Sequence, residues 1–231
     1  MNLKDSWTRD LAVTAVLLGI TAYFWYLGIY KAPVDRIQGD VYRIIFVHVP
    51  VAGSAFLTAL WLFIAATFAL IQKSDRWLSA QKACVELGLV FTLLTLATGS
   101  IWGRPTWGTW WTWDARLTTT MILALMQASY LLLYASSEPG PHRLRICSIL
   151  AILITIDVPI IYKSVTWWRT LHQPAVLFTR DQSQAMSPEI TSILMPALFA
   201  MMFLATWLIW LRQKNIVIQN DIESRSMAQL S

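Results

Sequence analysis

Six stretches of continuous apolar sequence constrain this chain more than anything else in it. They run approximately over Leu11–Tyr30, Ile44–Ile71, Ala83–Trp102, Leu117–Ala135, Leu144–Tyr162 and Ile190–Leu211, and charged residues bound them. A helix needs roughly 20 mainly apolar residues to cross about 30 Å of hydrocarbon, and each run meets that length. The runs are apolar at successive positions rather than at alternate ones, so they read as helices and not as barrel strands, whose side chains face lipid and lumen in turn. The sequence therefore predicts an all-α membrane protein, a six-transmembrane-helix bundle. The first run follows Lys4 and Arg9, is long and aromatic at its far end, and lacks a small-residue cleavage site, so it is expected to remain as a span.

Composition agrees. Of 231 residues, 56% are hydrophobic and 13% charged, against about 25% charged in soluble domains. A disordered chain needs low hydrophobicity and high net charge, and a disulfide scaffold needs more than the two cysteines present. The net charge of +5 is spread over short polar loops, so it points to lipid or a small anionic ligand and away from nucleic acid.

Six spans put both ends of the chain on one side, together with loops two and four. Loops one, three and five (31–43, 103–116 and 163–189) share the other side. The terminal side carries ten Lys and Arg: Lys4, Arg9, Lys73, Arg76, Lys82, Arg143, Arg145, Arg212, Lys214 and Arg225. The opposite side carries eight: Lys31, Arg36, Arg43, Arg104, Arg116, Lys163, Arg169 and Arg180. The excess orients the termini toward the cytoplasm. Residues 1–211 are expected to form a single domain and 212–231 a polar cytoplasmic tail, while the loop Ser164–Glu189 has room for a small interfacial helix.

The third loop, Ile101-Trp-Gly-Arg-Pro-Thr-Trp-Gly-Thr-Trp-Trp-Thr-Trp-Asp114, holds five of the thirteen tryptophans, and Trp167 and Trp168 join them from loop five. An ordinary aromatic belt would be shared between both interfaces. Crowding on one side favours a platform for a flat, apolar ligand. If 107–114 is a short helix, Trp107, Trp110, Trp111 and Asp114 share one face.

Two of the three histidines look onto the same side. His48 lies in Phe46-Val-His-Val-Pro50, His172 in Trp167-Trp-Arg-Thr-Leu-His-Gln-Pro174, and His142 on the opposite face is read as a solvated loop residue. Any one of them is most simply a hydrogen-bonded interfacial residue. As a pair flanking a Trp platform, they suit axial ligation of a planar metal macrocycle, the more so because no zinc-type His/Cys/Asp/Glu spacing is present. A haem would also bring two propionates, for which Arg104, Arg116, Arg43 and Arg169 are available as bidentate donors or, equally, as lipid anchors. Asp114 could brace the platform or pair with Arg116. Glu86 and Asp157 are the ionisable residues within spans, Glu86 reaching an interface and Asp157 supporting the His172 loop.

Absences narrow the function. No G-x-x-x-x-G-K-[ST] loop is present, so the chain does not itself hydrolyse ATP; no C-x-x-C-H attaches a c-type haem; no nucleophile stands beside a base; and Cys84 and Cys147 read as buried small hydrophobes. A non-enzymatic role follows.

The segment Trp107-Gly-Thr-Trp-Trp-Thr-Trp-Asp114 resembles the "WWD" signature of haem-handling membrane proteins, and Thr98–Thr118, Phe46-Val-His-Val-Pro50 and Asp157–Gln173 are similar to the cytochrome c maturation protein C branch. The resemblance covers all but the polar tail. It implies haem b as transferred cargo rather than permanent cofactor, with His48 and His172 as axial ligands of the iron. Trp107, Gly108, Trp110, Trp111, Trp113 and Asp114 would hold the macrocycle, with Arg104 and Arg116 in support. It further implies an inner-membrane location with the haem site facing the periplasm. The partners it implies are a membrane-anchored periplasmic haem chaperone (cytochrome c maturation protein E), a small single-span subunit (cytochrome c maturation protein D) and an ATP-binding-cassette transporter complex. The competing readings are a cytochrome b-type redox subunit, which would favour histidines deep in the spans, a solute or ion transporter working through Glu86 and Asp157, and an assembly scaffold.

Overall fold

A computed structural model describes residues 3–172 and 186–230. The central part of the expected interfacial helix in loop five, together with Gln173, Pro174 and Arg180, lies outside the described residues. Six helices are long and apolar enough to cross a membrane. They are α1 (Leu3–Tyr26, continued by a π-helical turn Leu27–Lys31), α2 (Ile45–Gln72, entered through a 3-10 turn Asp40–Ile44), α3 (Asp75–Trp107), α4 (Ala115–Ser136), α5 (Pro141–Trp167) and α6 (Pro188–Leu230). Among the described residues there is no strand. The expected helical bundle is present, and the chain is a multi-pass membrane protein.

Lipid removes most of the hydrophobic gain from pressing apolar helices together, so association depends on close packing, which small residues allow. The central helix shows this directly. α2 buries Ser54, Ala55, Thr58, Ala59, Ala65, Ala66 and Ala69 where it meets α3, α5 and α6. α4 lies against α3 and α5, while α1 sits at the edge, chiefly on α6. Large residues such as Leu11, Val16, Leu132 and Phe203 face outward, as a lipid-facing surface requires. Pro50, Pro105, Pro159 and Pro196 all lie inside helices that continue past them, since neighbouring helices and hydroxyls can take up the freed backbone groups.

The helices outrun the apolar runs. α3 begins at Asp75, ahead of the expected Ala83, because its first turns are polar yet packed: Gln81 is fully buried and donates to Ser148 Oγ at 2.8 Å, and Tyr130 Oη donates to Gln81 Oε1 at 3.2 Å. α6 continues as one helix beyond Leu211 to Leu230. Its first turns past 211 are docked. Arg212 donates to both oxygens of Glu86 at 2.6 and 3.0 Å. Lys214 reaches Asp10 at 2.6 Å and Ser6 at 2.9 Å, and Ile216 is buried. Glu86 is thus an interhelical ion-pair partner at the end of the bundle that carries the chain termini. At the opposite end, the tryptophan end, Ala32, Ile45, Phe46, Ile190 and Leu194 form a separate buried cluster with Tyr42 and Trp102 packed against it.

Candidate haem site at the tryptophan end

His48 stands on the first turn of α2. Its Nδ1 lies 2.8 Å from Thr98 Oγ1 on α3. The Thr98 hydroxyl proton is already directed at Leu94 O, 2.7 Å away, so toward the imidazole Thr98 can only accept. That fixes the tautomer: Nδ1 carries the proton and Nε2 keeps a free lone pair. Trp102 packs edge-on against the ring with centroids 5.7 Å apart, and Trp102 Nε1 donates to Gln38 Oε1 at 2.8 Å. Gly99 makes room, since a Cβ there would come within 3.3 Å of His48 Cε1.

The segment after α3 is not the helix that the tryptophan spacing allowed. Gly108 adopts φ +77°, a left-handed conformation that suits glycine, and its N–H caps the helix on Arg104 O at 3.1 Å. Arg104 in turn donates to Gly108 O, so its fork is partly committed to closing this turn. Residues 108–110 bend and 111–114 have no regular secondary structure, so Trp107, Trp110, Trp111 and Asp114 do not form a helical face. Trp110 and Trp113 are largely exposed, whereas Trp111 is half-buried, and among the described residues neither its Nε1 nor Thr112 Oγ1 has a partner. Trp111 and Trp113 meet edge to face at 5.5 Å. In loop five Trp167, Trp168 and Arg169 are exposed.

Asp114 has two tasks, one for each oxygen. Oδ1 caps α4 by accepting from Leu117 N at 2.8 Å. Oδ2 accepts from His172 Nδ1 at 2.8 Å and from Thr170 Oγ1 at 3.2 Å. Thr170 Oγ1 also receives the His172 backbone N–H at 2.8 Å. Trp107 lies edge-on to the imidazole, 4.8 Å between centroids, so the end of α3, the start of α4 and loop five converge on His172. Burial raises the Asp114 carboxyl, but the Leu117 amide and His172 outweigh it and hold the group below its ordinary value. Burial lowers the His172 imidazole below its ordinary value, against the pull of Asp114. The pair is therefore an ionised carboxylate and a neutral imidazole at neutral pH, and His172 also leaves Nε2 free.

Arg116, on the first turn of α4, is half-buried, its Nε has no partner among the described residues, and its charge is within reach of His48, His172 and Asp114. Arg43 is committed elsewhere, donating to Ile29 O at 2.8 Å and pairing with Asp40. Asp157 is buried in α5, and among the described residues its Oδ2 has no partner and it makes no bond to the His172 segment. His142 is exposed at the far end, and Cys84 and Cys147 are buried free thiols. Among the described residues no group of three or more His, Cys, Asp or Glu could hold a bare metal ion. The structure thus brings together His48, His172, Asp114, Trp107 and Arg116, and leaves Trp110 and Trp113 exposed beside them. Sequence reasoning missed the Asp114–His172 and Thr98–His48 contacts; the one signal near them is Thr170, two residues before His172, a spacing suited to a hydroxyl-to-backbone turn.

Comparison with known proteins places the chain. The family described as Heme exporter protein C matches residues 1–228. Heme exporter protein C of Escherichia coli K12 is 35% identical over 90% of this chain and 82% of its own length. Heme exporter protein C of Bradyrhizobium diazoefficiens is 35% identical over 97% and 88%. A putative cytochrome c biosynthesis ccmC-like mitochondrial protein of Arabidopsis thaliana is 37% identical over 94% and 82%. With the match running over nearly the whole chain and through both histidine segments, the protein belongs to the heme exporter protein C family.

Proposed function

We propose that this protein binds haem b as cargo at the tryptophan end of the bundle and passes it to an acceptor during cytochrome c biogenesis. The observation that carries the reading is the matched pair of imidazoles. On His48 and on His172 alike, Nδ1 donates to a fixed acceptor and Nε2 is left as an iron ligand, the arrangement that neighbouring hydrogen bonds impose on metal-binding histidines. A macrocycle that brings its own equatorial nitrogens needs only these two donors. Trp107, Trp111 and the exposed Trp110 and Trp113 supply apolar and aromatic surface around it, with Gly108 setting the turn. Arg116, with an Nε that has no partner among the described residues, and Arg104, beside the tryptophan turn, suit the propionates. Asp114 is assigned to His172 and not to the metal.

The printed names of the relatives, heme exporter and cytochrome c biosynthesis, support the cargo and the process. In this reading the protein lies in the inner membrane as one haem-handling domain. Its termini are cytoplasmic and the site faces the periplasm, where a membrane-anchored haem chaperone of the cytochrome c maturation protein E type receives the haem. A small single-span subunit (cytochrome c maturation protein D) and an ATP-binding-cassette complex assist, supplying the ATPase motif that this chain lacks. An interfacial position favours release. The cytochrome b reading loses ground because His48 is on the first turn of its helix and His172 is outside any helix. The transporter reading loses Glu86, which is paired with Arg212.

The test is the visible spectrum of the protein co-purified with its chaperone partner, in the wild type and in His48→Ala and His172→Ala. A bis-imidazole spectrum that weakens in both variants is expected. An unchanged spectrum in both, or no haem in the wild type, refutes the assignment.

A further inference from the structure

We infer that the two histidines are unequal ligands: His172, backed by the Asp114 carboxylate, keeps the iron while His48, backed only by the Thr98 hydroxyl, gives way to an incoming ligand. This rests on the two-histidine reading above and adds to it an order of release.

The difference lies in the acceptors. A hydrogen bond from Nδ1–H to a carboxylate pushes electron density into the ring and strengthens Nε2 as a donor to metal. His172 has such a bond at 2.8 Å, to a carboxylate that is 7% exposed. His48 has a bond of equal length, but its acceptor is a neutral hydroxyl oxygen, a weaker base. The surroundings differ in the same sense. His48 is fixed in a helix of 28 residues, wedged between Trp102 and the Gly99 face of α3, and cannot follow a departing iron. His172 lies past the end of α5, outside helical structure, and is tied to the bundle mainly through Asp114 and Thr170.

The exchange step is a simple substitution. The bond from iron to His48 Nε2 breaks, a bond to a donor atom of the incoming ligand forms, and no electron or proton changes hands. In handover the incoming ligand would be a nitrogen donor of the acceptor protein. Asp114 is accordingly a positioning residue, acting on the iron through His172.

The test uses carbon monoxide as the incoming ligand. The haem-loaded complex is reduced with dithionite and exposed to CO, in the wild type and in Thr98→Val, Asp114→Ser and Asp114→Asn. Serine keeps a good helix cap for α4 without the carboxylate, and asparagine is an isosteric second variant should serine lower the yield. CO replaces one histidine, and its infrared stretch reports the donor strength of the ligand that remains. The expected result is a C–O stretch moved to higher frequency in both Asp114 variants and unmoved in Thr98→Val, with CO binding about tenfold tighter in Thr98→Val as the weaker ligand is weakened further. A stretch that moves in Thr98→Val but not in the Asp114 variants reverses the order and overturns the inference. Movement in both or in neither overturns it as well. Failure of the underlying reading is separate, because it shows as a wild-type complex without haem or a spectrum indifferent to both histidines.

Discussion

Replacing Gly28 by alanine should destabilise the protein, whereas the same replacement at Gly19, nine residues earlier on the same peripheral helix, should not. A Cβ at Gly28 would lie 2.2 Å from Phe46 Cγ, 2.4 Å from Phe46 Cβ and 2.8 Å from Cδ1. Ordinary contact begins near 3.4 Å, so 3.4 less 2.2 leaves about 1.2 Å to be opened. The obstructing atoms are the root of a side chain that is 1% exposed, so relief needs movement of α2 and not a rotamer change. Overpacking of this kind costs about 1–3 kcal/mol. The upper part of that range applies here, less the roughly 0.5 kcal/mol that alanine gains over glycine in a helix, for a net loss of about 2–2.5 kcal/mol. At Gly19 a Cβ meets nothing within 4 Å, and the change should be neutral or stabilise by up to about 1 kcal/mol. For a chain of this size 1 kcal/mol corresponds to about 2–4 °C. Thermal melting of the detergent-solubilised protein, followed by fluorescence-detected gel filtration, should show Gly28→Ala falling by about 4–10 °C and Gly19→Ala unchanged or up to about 4 °C higher. Because Phe46 is two residues from His48 on α2, the proposed function adds that Gly28→Ala should also retain less haem. A Gly28→Ala protein that melts at or above the wild type, or a Gly19→Ala protein that falls as far, would refute the packing argument.

Two further outcomes follow from the polar contacts. Glu86→Gln breaks a bidentate pair with Arg212 that is neither fully exposed nor deeply buried. It should cost about 1–2 kcal/mol in the same melting assay, between the values for surface and buried pairs, and a double Glu86→Leu, Arg212→Leu variant should recover part of that loss. Acid should weaken the His172 end of the site. The folded state holds this imidazole below its ordinary value of 6.5 and the Asp114 carboxyl below 3.8, so both groups favour the fold at neutral pH. The histidine contribution is complete above about pH 6.5 and is lost as the pH falls through the depressed folded value, and the aspartate contribution is complete above 3.8 and lost only in stronger acid. Melting temperature followed from pH 8 to pH 5 should therefore fall in the wild type and fall less in His172→Ala; equal slopes would count against the assignment.

Hydropathy along the chain was enough to place six spans, because crossing hydrocarbon is a requirement each segment meets by itself. The same local logic set His48, His172 and the tryptophans on one side of the membrane, since span parity sorts loops without knowledge of packing. Helix ends were less legible. Polar turns such as Asp75–Gln81 and Arg212–Ile216 are helical because partners on other helices hold them, a fact that no window of hydropathy contains. The helix considered over 107–114 did not form: Gly108, with its positive φ, ends α3, and 109–114 are non-helical. What the site does with its histidines was decided by tertiary structure alone. Thr98 is 50 residues from His48, and Asp114 is 58 from His172. Their hydrogen bonds set which nitrogen carries the proton and how strongly the other can donate. Sequence supplies the imidazoles, but only the packed bundle brings a hydroxyl to one and a carboxylate to the other.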